Sequence, residues 1–138
     1  MTIEAMGTGL KTRLDTISSL DSGIWAPNEI GGSIPTLPWA IILQGETLYH
    51  QAFGGAITVT FRVLILFGEA HMPSSMNAII DYTERSGANS VLAAIEGDRT
   101  LGSTCDDLTI HSNSGVGTTN WGGTNYISTE FIVECQLQ

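Results

Sequence analysis

Near the start of the chain, Gly7-Thr8-Gly9-Leu10-Lys11-Thr12 holds the Gly, Lys and Thr that a phosphate-binding loop uses. That loop needs GxxxxGK[ST], with the Gly directly before the Lys and a strand leading in. Here Leu10 intervenes, no strand precedes, and Leu10 falls in step with an apolar helical stripe, so a helix is the expected use. His50, His71 and His111 lie in different elements without HxxxH or HExxH spacing, which argues against metal ligation. Asp98, Asp106 and Asp107 could gather on a cation, but their spacing matches no EF-hand, and turn and capping roles account for them. There is no GxSxG around any serine. Cys105 and Cys135 form no CxxC and have no neighbouring His, against zinc. Cys135 sits in an apolar strand pattern and reads as a small buried hydrophobe. Nothing suggests a disulfide scaffold, and the sequence does not fix whether the two cysteines pair. A triad built from distant residues leaves no sequence signature. With no catalytic, metal or cofactor motif, the expectation is a non-enzyme without a cofactor.

The elements that would position these residues are clearer. Ile3, Met6, Leu10, Leu14 and Ile17 recur at steps of three and four, predicting an amphipathic helix that Thr2 could cap. Gly7 and Gly9 weaken it by roughly 1 kcal/mol each against Ala, so it needs tertiary packing. Residues 21–38 read as a long loop, with a short strand near Ile24 and Trp25. Leu37 to Leu43 reads as a strand buried on most of both faces and ended by Gly45. Thr47–Phe53 and Ile57–Phe67 flank Gly54-Gly55, a hairpin signal. In the second of these, Ile57, Val59, Phe61, Val63, Ile65 and Phe67 share one face. The other face is polar at Thr58, Thr60 and Arg62 and apolar at Leu64 and Leu66, so only one end of it should be covered, by the domain or by a neighbour.

Pro73 with Met76, Ile79, Ile80 and Thr83 predicts a second helix, with Gly87 just beyond it. Asn89 or Ser90 can cap a short third helix carrying Val91, Leu92 and Ile95, stopped by Gly97. Leu108 and Ile110 suggest a short strand. Residues 113–125 read as a mobile loop or hairpin tip holding Trp121. In the last strand Ile127, Thr129, Phe131, Val133, Cys135 and Leu137 point inward, while Ile132 interrupts a polar outer face of Ser128, Glu130, Glu134 and Gln136. The expected fold is a two-layer α+β domain spanning 1–138. Its sheet is mainly antiparallel or mixed, with the N-terminal helix and two central helices packed on one face.

The chain has 138 residues, 42% of them apolar and 14% charged. That charge content is low against the usual ~25%, leaving neutral surface that a partner could cover. Fourteen acids against five bases give a net charge of −9, which disfavours nucleic-acid binding and anionic membranes. No stretch is long and apolar enough to span a bilayer. The opening residues show no basic segment leading into an apolar one, so a cytoplasmic origin is expected. Trp39 falls in a strand and is expected in the core. Trp25 and Trp121 fall in Gly-rich segments, as core anchors or interface anchors.

Read in order, these features resemble the tail terminator proteins of long-tailed bacteriophages. They are the helix followed by Trp25-Ala26-Pro27, the strand Leu37-Pro38-Trp39-Ala40-Ile41-Ile42, and the hairpin with Ile57-Thr58-Val59-Thr60-Phe61-Arg62-Val63. Ser86-Gly87-Ala88-Asn89-Ser90-Val91-Leu92-Ala93-Ala94-Ile95, then Asp98-Arg99-Thr100-Leu101-Gly102 and the closing strand from Tyr126 to Leu137, complete the series. The resemblance implies a ring-forming virion protein, commonly a hexamer, made in the host cytoplasm. Such a ring caps the tail tube, stops its polymerisation and joins tail to head connector. Its implied partners are itself, the tail tube protein, the connector protein and genomic DNA that passes without specific binding. Trp25, Arg62 and Trp121 are interface candidates. Glu29, Glu46 and Glu69, near loops or strand ends, are candidates for an acidic channel wall. The alternatives are a neighbouring neck component (a tail-completion or head-closure protein), or a small enzyme or ligand-binding domain with a deep pocket built from distant residues.

Overall fold

A computed structural model describes residues 3–20, 23–49, 55–69 and 74–137. The expected cap Thr2, the hairpin residue Gly54, and His50, His71 and Pro73 lie outside the described residues. The elements are α1 (Ile3–Leu14), β1 (Ile24–Trp25), β2 (Trp39–Leu48), β3 (Ile57–Glu69), α2 (Ser74–Thr83), α3 (Val91–Glu96), β4 (Asp107–Asn113), β5 (Gly117–Trp121) and β6 (Thr124–Leu137), with a 3-10 turn at Ser18–Leu20. One mixed sheet runs β1-β2-β3-β6-β4, and β5 also pairs with β6. Among the described strands only β1 and β2 are parallel. The long β6 pairs with β3 along one side, and with β5 and then β4 along the other. This is the expected two-layer α+β arrangement.

The helical layer packs on the face of β3 that carries Val59, Phe61, Val63, Ile65 and Phe67. These residues share a buried cluster with Met6, Leu10 and Leu14 of α1, Ile79 and Tyr82 of α2, and Val91 and Ile95 of α3. The Phe67 and Tyr82 rings meet edge to face, their centroids 4.9 Å apart. α1 ends at Leu14, and Ile17 stays buried in the turn that follows, its N–H donating to the Leu14 carbonyl at 3.0 Å. Gly7 and Gly9, costly to a helix, permit close approach. A Cβ at Gly7 would stand 2.7 Å from Pro27, and one at Gly9 would stand 2.9 Å from Leu101.

Several expectations need correction. Gly45 does not end β2. The strand runs on to Leu48, with a bulge between Gln44 and Thr47 that absorbs the irregularity, so the two strands read around Gly45 are one. Ile80 was expected on the core face of α2 but is 58% exposed, and Tyr82 supplies the buried contact instead. Of the two readings of 113–125, the structure has the hairpin and not the loop. The segment forms β5 and a two-residue hairpin turn into β6, with Gly122 and Gly123 both at positive φ (59° and 88°) and Trp121 opposite Thr124. Of the two candidate caps for α3, Ser90 takes the role: its hydroxyl accepts from Ala93 N–H at 3.1 Å and donates to the Glu84 carbonyl at 2.6 Å.

Candidate functional site

The sheet face away from the helices divides into two halves. At one end Leu64 and Leu66 of β3 join Trp39 and Ile41 of β2 and Tyr126 of β6 in a second buried cluster. Ile34, from the segment between β1 and β2, and Trp121, from the β5–β6 hairpin, lie over it. Three indoles meet there. Trp25 stands edge-on to Trp39 with centroids 5.2 Å apart, and Trp25 and Trp121 are 6.3 Å apart. Trp121 Nε1–H donates to the Gly31 carbonyl at 3.1 Å, tying the hairpin to the covering segment. Gly122 abuts the Gly32 carbonyl where a Cβ would collide. Trp39 Nε1 is buried with no hydrogen-bond partner among the described residues, a cost of ~1–3 kcal/mol that the packing must exceed.

The other half has no cover among the described residues. Cross-strand register lines up Thr58, Gln136 and Asp107 in one row, Thr60, Glu134 and Thr109 in the next, and Arg62, Ile132 and Ser112 in a third. Thr60, Ile132 and Glu134 are half-buried by their neighbours alone, and Arg62, Gln136, Thr109 and Ser112 are exposed. Arg62 Nε and Nη2 bind the two carboxylate oxygens of Glu130 at 3.0 and 2.8 Å. This bidentate bond, reinforced by the charge attraction, raises the guanidinium pKa. At the rim Leu48 is exposed and Tyr49 is 66% exposed. The half is therefore a polar β surface of Thr, Gln, Ser and Ile that also carries Glu134, Asp107 and the Arg62–Glu130 ion pair.

The structure separates the sequence candidates. Trp25 and Trp121 are half-buried parts of the covered half, while Arg62 belongs to the open half. Glu29 lies in the segment after β1, where its carboxylate accepts from Lys11 Nζ at 2.7 Å and from Ala26 N–H at 3.1 Å. Those bonds, led by Lys11, hold its pKa below the ordinary carboxylate value. Glu46 is exposed in the bulge of β2. Glu69 ends β3, and its side chain lies outside the described residues. The three acids are thus not gathered by any described contact. Sequence reasoning placed Thr60 on the polar stretch of β3 but did not single out Thr109, because alternation alone does not distinguish solvent from a partner. The break in polarity at Ile132 was the available signal.

The residues weighed for chemistry have structural uses. Gly7–Thr12 is helical, with Lys11 paired to Glu29 and the Thr12 hydroxyl donating to the Thr8 carbonyl at 3.1 Å. Asp98 caps its own turn, accepting from Gly102 N–H at 2.9 Å and from the Thr100 N–H and hydroxyl. Those bonds, the Gly102 one foremost, lower its pKa. Asp107 is held low by Arg99, bonded at 2.9 Å. Among the described residues no group of three or more His, Cys, Asp or Glu could hold a metal ion. A shallow groove of about 570 Å³ runs between α1 and the Leu101 turn, lined by Glu4, Ala5, Thr8, Gly9, Thr12, Leu101 and Thr104. A smaller one of about 220 Å³ lies by Ile3, Glu4, Pro27, Asn28 and Gln44. Each has Glu4 as its only ionisable lining group, which offers no nucleophile–base pair. No helix among the described residues is long and apolar enough to cross a membrane. No protein-family model matches the chain, and comparison with curated proteins likewise finds no match.

Proposed function

We propose that the chain is a structural virion protein, a ring-forming tail terminator that caps the tail tube, stops its growth and provides the surface joining tail to head connector. The observation that carries this reading is the open half of the outer sheet face. It is polar, holds Ile132 at its middle and is bordered by Leu48 and Tyr49, as suits a surface that a neighbouring subunit covers. Copies arranged head to tail use two different patches and close into a ring when the rotation permits, with a hexamer the expected size.

The sheet edges favour docking by faces over extension of the ladder. β2 carries a bulge between Gln44 and Thr47, and β4 carries one between Ile110 and Ser112. Bulges at sheet edges hinder strand addition. The net charge of −9 supports a lumen through which DNA moves without adhering, since like charge forgoes the counterion release that drives binding. The tail tube protein and the connector protein would meet the two ends of the ring, placing the protein at the neck of the virion after synthesis in the host cytoplasm.

The test is negative-stain imaging of the purified chain mixed with tail tubes assembled without heads. The reading expects a ring at one end of each tube and an arrest of elongation. Binding to filled, tailless heads with no effect on tubes would replace it with a head-closure role.

A further inference from the structure

Of the five bases in the chain, Lys11, Arg62 and Arg99 bond to carboxylates, and Arg13 donates to the Ala94 carbonyl at 2.8 Å. Arg85 has no partner among the described residues, although Asp81 and Glu84 stand near it in sequence. It is exposed just beyond the end of α2, where Ile80 is 58% exposed. On the open half of the sheet, the Arg62–Glu130 and Arg99–Asp107 pairs neutralise one another's charges. Glu134 is left over there, flanked across the strands by Thr60 and Thr109, with no hydrogen bond or ion pair among the described residues. Asp81 and Glu84 are exposed and keep their hydration, whereas Glu134 is half-buried and gives up part of its own without a counterion. Ile132, also half-buried, lies two residues away on the same face of β6, about 7 Å along the strand.

We propose, on the ring reading above, that Arg85 of one copy pairs with Glu134 of the next and that Ile80 is set against Ile132, forming the head-to-tail contact between subunits. The two groups cannot meet within one chain. α2 buries Ile79 and Tyr82 on the helical side of the sheet, with Tyr82 against Phe67, whereas Glu134 stands on the opposite face beside Thr60. The stretch from Thr60 to Phe67 alone spans about 20 Å along β3. A head-to-tail contact needs two different patches on separate faces that complement each other. Here an apolar side chain and a cation meet an apolar side chain and an anion. Covering the open half removes water from around Glu134, which strengthens a guanidinium–carboxylate bond and fixes the register of the contact. Each copy carries a net charge of −9, so copies repel at long range, and a local pair of opposite sign selects this approach over others.

The test is charge exchange, read by negative-stain imaging of tail tubes mixed with each chain. Arg85→Glu and Glu134→Arg should each lower the fraction of capped tubes by about tenfold or more, because each sets like charges face to face. Combined in one chain, the two changes should restore capping. Mixed one to one, the two single variants should restore it as well, because in a hexamer of alternating variants every contact joins opposite charges. That mixture separates a contact between copies from one within a chain. All variants should melt within about 5 °C of the wild type, since both positions reach solvent. If a reversal unfolds its chain, Arg85→Gln and Glu134→Gln take its place, each weakening capping by about three- to fivefold and their combination no further than either alone. Single variants that cap tubes like the wild type, or losses that either exchange fails to repair, would overturn this contact, while capping by the wild type would leave the ring reading standing. A wild-type chain that caps no tubes would overturn both.

Discussion

Along one face of β3, Arg62 is exposed while Leu64 is only 5% exposed, though the backbone and the flanking strands β2 and β6 are continuous past both. Beyond Leu64 the chain covers its own sheet with Ile34 and the β5–β6 hairpin, and three indoles fill the gap. Before Leu64 no described segment lies over the sheet, which presents Thr60, Ile132, Glu134 and Gln136. The difference teaches where to look for function in a chain with no reactive cluster. The covered half explains its own residue types by packing within the monomer, and the open half does not.

Substitutions can break that contrast. Trp39→Ala should be the most damaging, costing ~3–5 kcal/mol through the cavity it leaves, even though it removes an unpaired indole N–H. Chemical denaturation would read this as a lowered midpoint with an unchanged slope. Trp121→Phe should cost ~1–2 kcal/mol, since it strips the donor from the Gly31 carbonyl and loosens the hairpin against its cover. A loss confined to hydrogen-exchange protection in 26–38 and β5 would confirm the local nature of that tie. In the open half, Arg62→Ala should cost less than ~1 kcal/mol, because an exposed ion pair gains little over its hydration. If Arg62→Ala proved as harmful as Trp39→Ala, the open half would be core by another route.

Acid sharpens the comparison further, because two of the three depressed carboxyls, Glu29 and Asp98, lie away from the open half. Glu29, Asp98 and Asp107 are all held below their ordinary values by Lys11, Gly102 N–H and Arg99 respectively. A depressed carboxyl favours the fold above its unfolded pKa, at about 4, and that contribution disappears as pH falls through the lower folded value. Thermal melts should therefore show a midpoint falling below about pH 4, and Asp98→Ala should flatten that decline. An unchanged profile in Asp98→Ala would remove its turn from the account.

Much of this architecture was legible in the sequence because burial leaves a period. The alternation of Ile57 to Phe67 and of Ile127 to Leu137, and the stripe Met6, Leu10 and Leu14, each mark a face against the main core. Legibility failed where tertiary contact overrode a local signal. Gly45 reads as a breaker, yet a bulge carries β2 past it, and the segment around Gly122-Gly123 reads equally as loop or hairpin tip, the positive φ of both residues deciding for the hairpin. Ile80 reads as core because its spacing fits, but Tyr82 takes the contact with Phe67. The open half could be suspected from Arg62 beside Leu64, but not outlined. Its rows are made by register between β3, β6 and β4, which are distant in sequence.

The central claim is that the open half of the sheet docks a neighbour and contributes little to the monomer fold. Ile132→Lys tests it most directly, because it places a charge in the middle of that surface without opening the core. Melting of the variant and imaging of its mixture with tail tubes form one measurement. The account predicts a stability change below about 1 kcal/mol together with loss of the ring at the tube end. An Ile132→Lys chain that folds and caps tubes as well as the wild type would contradict it.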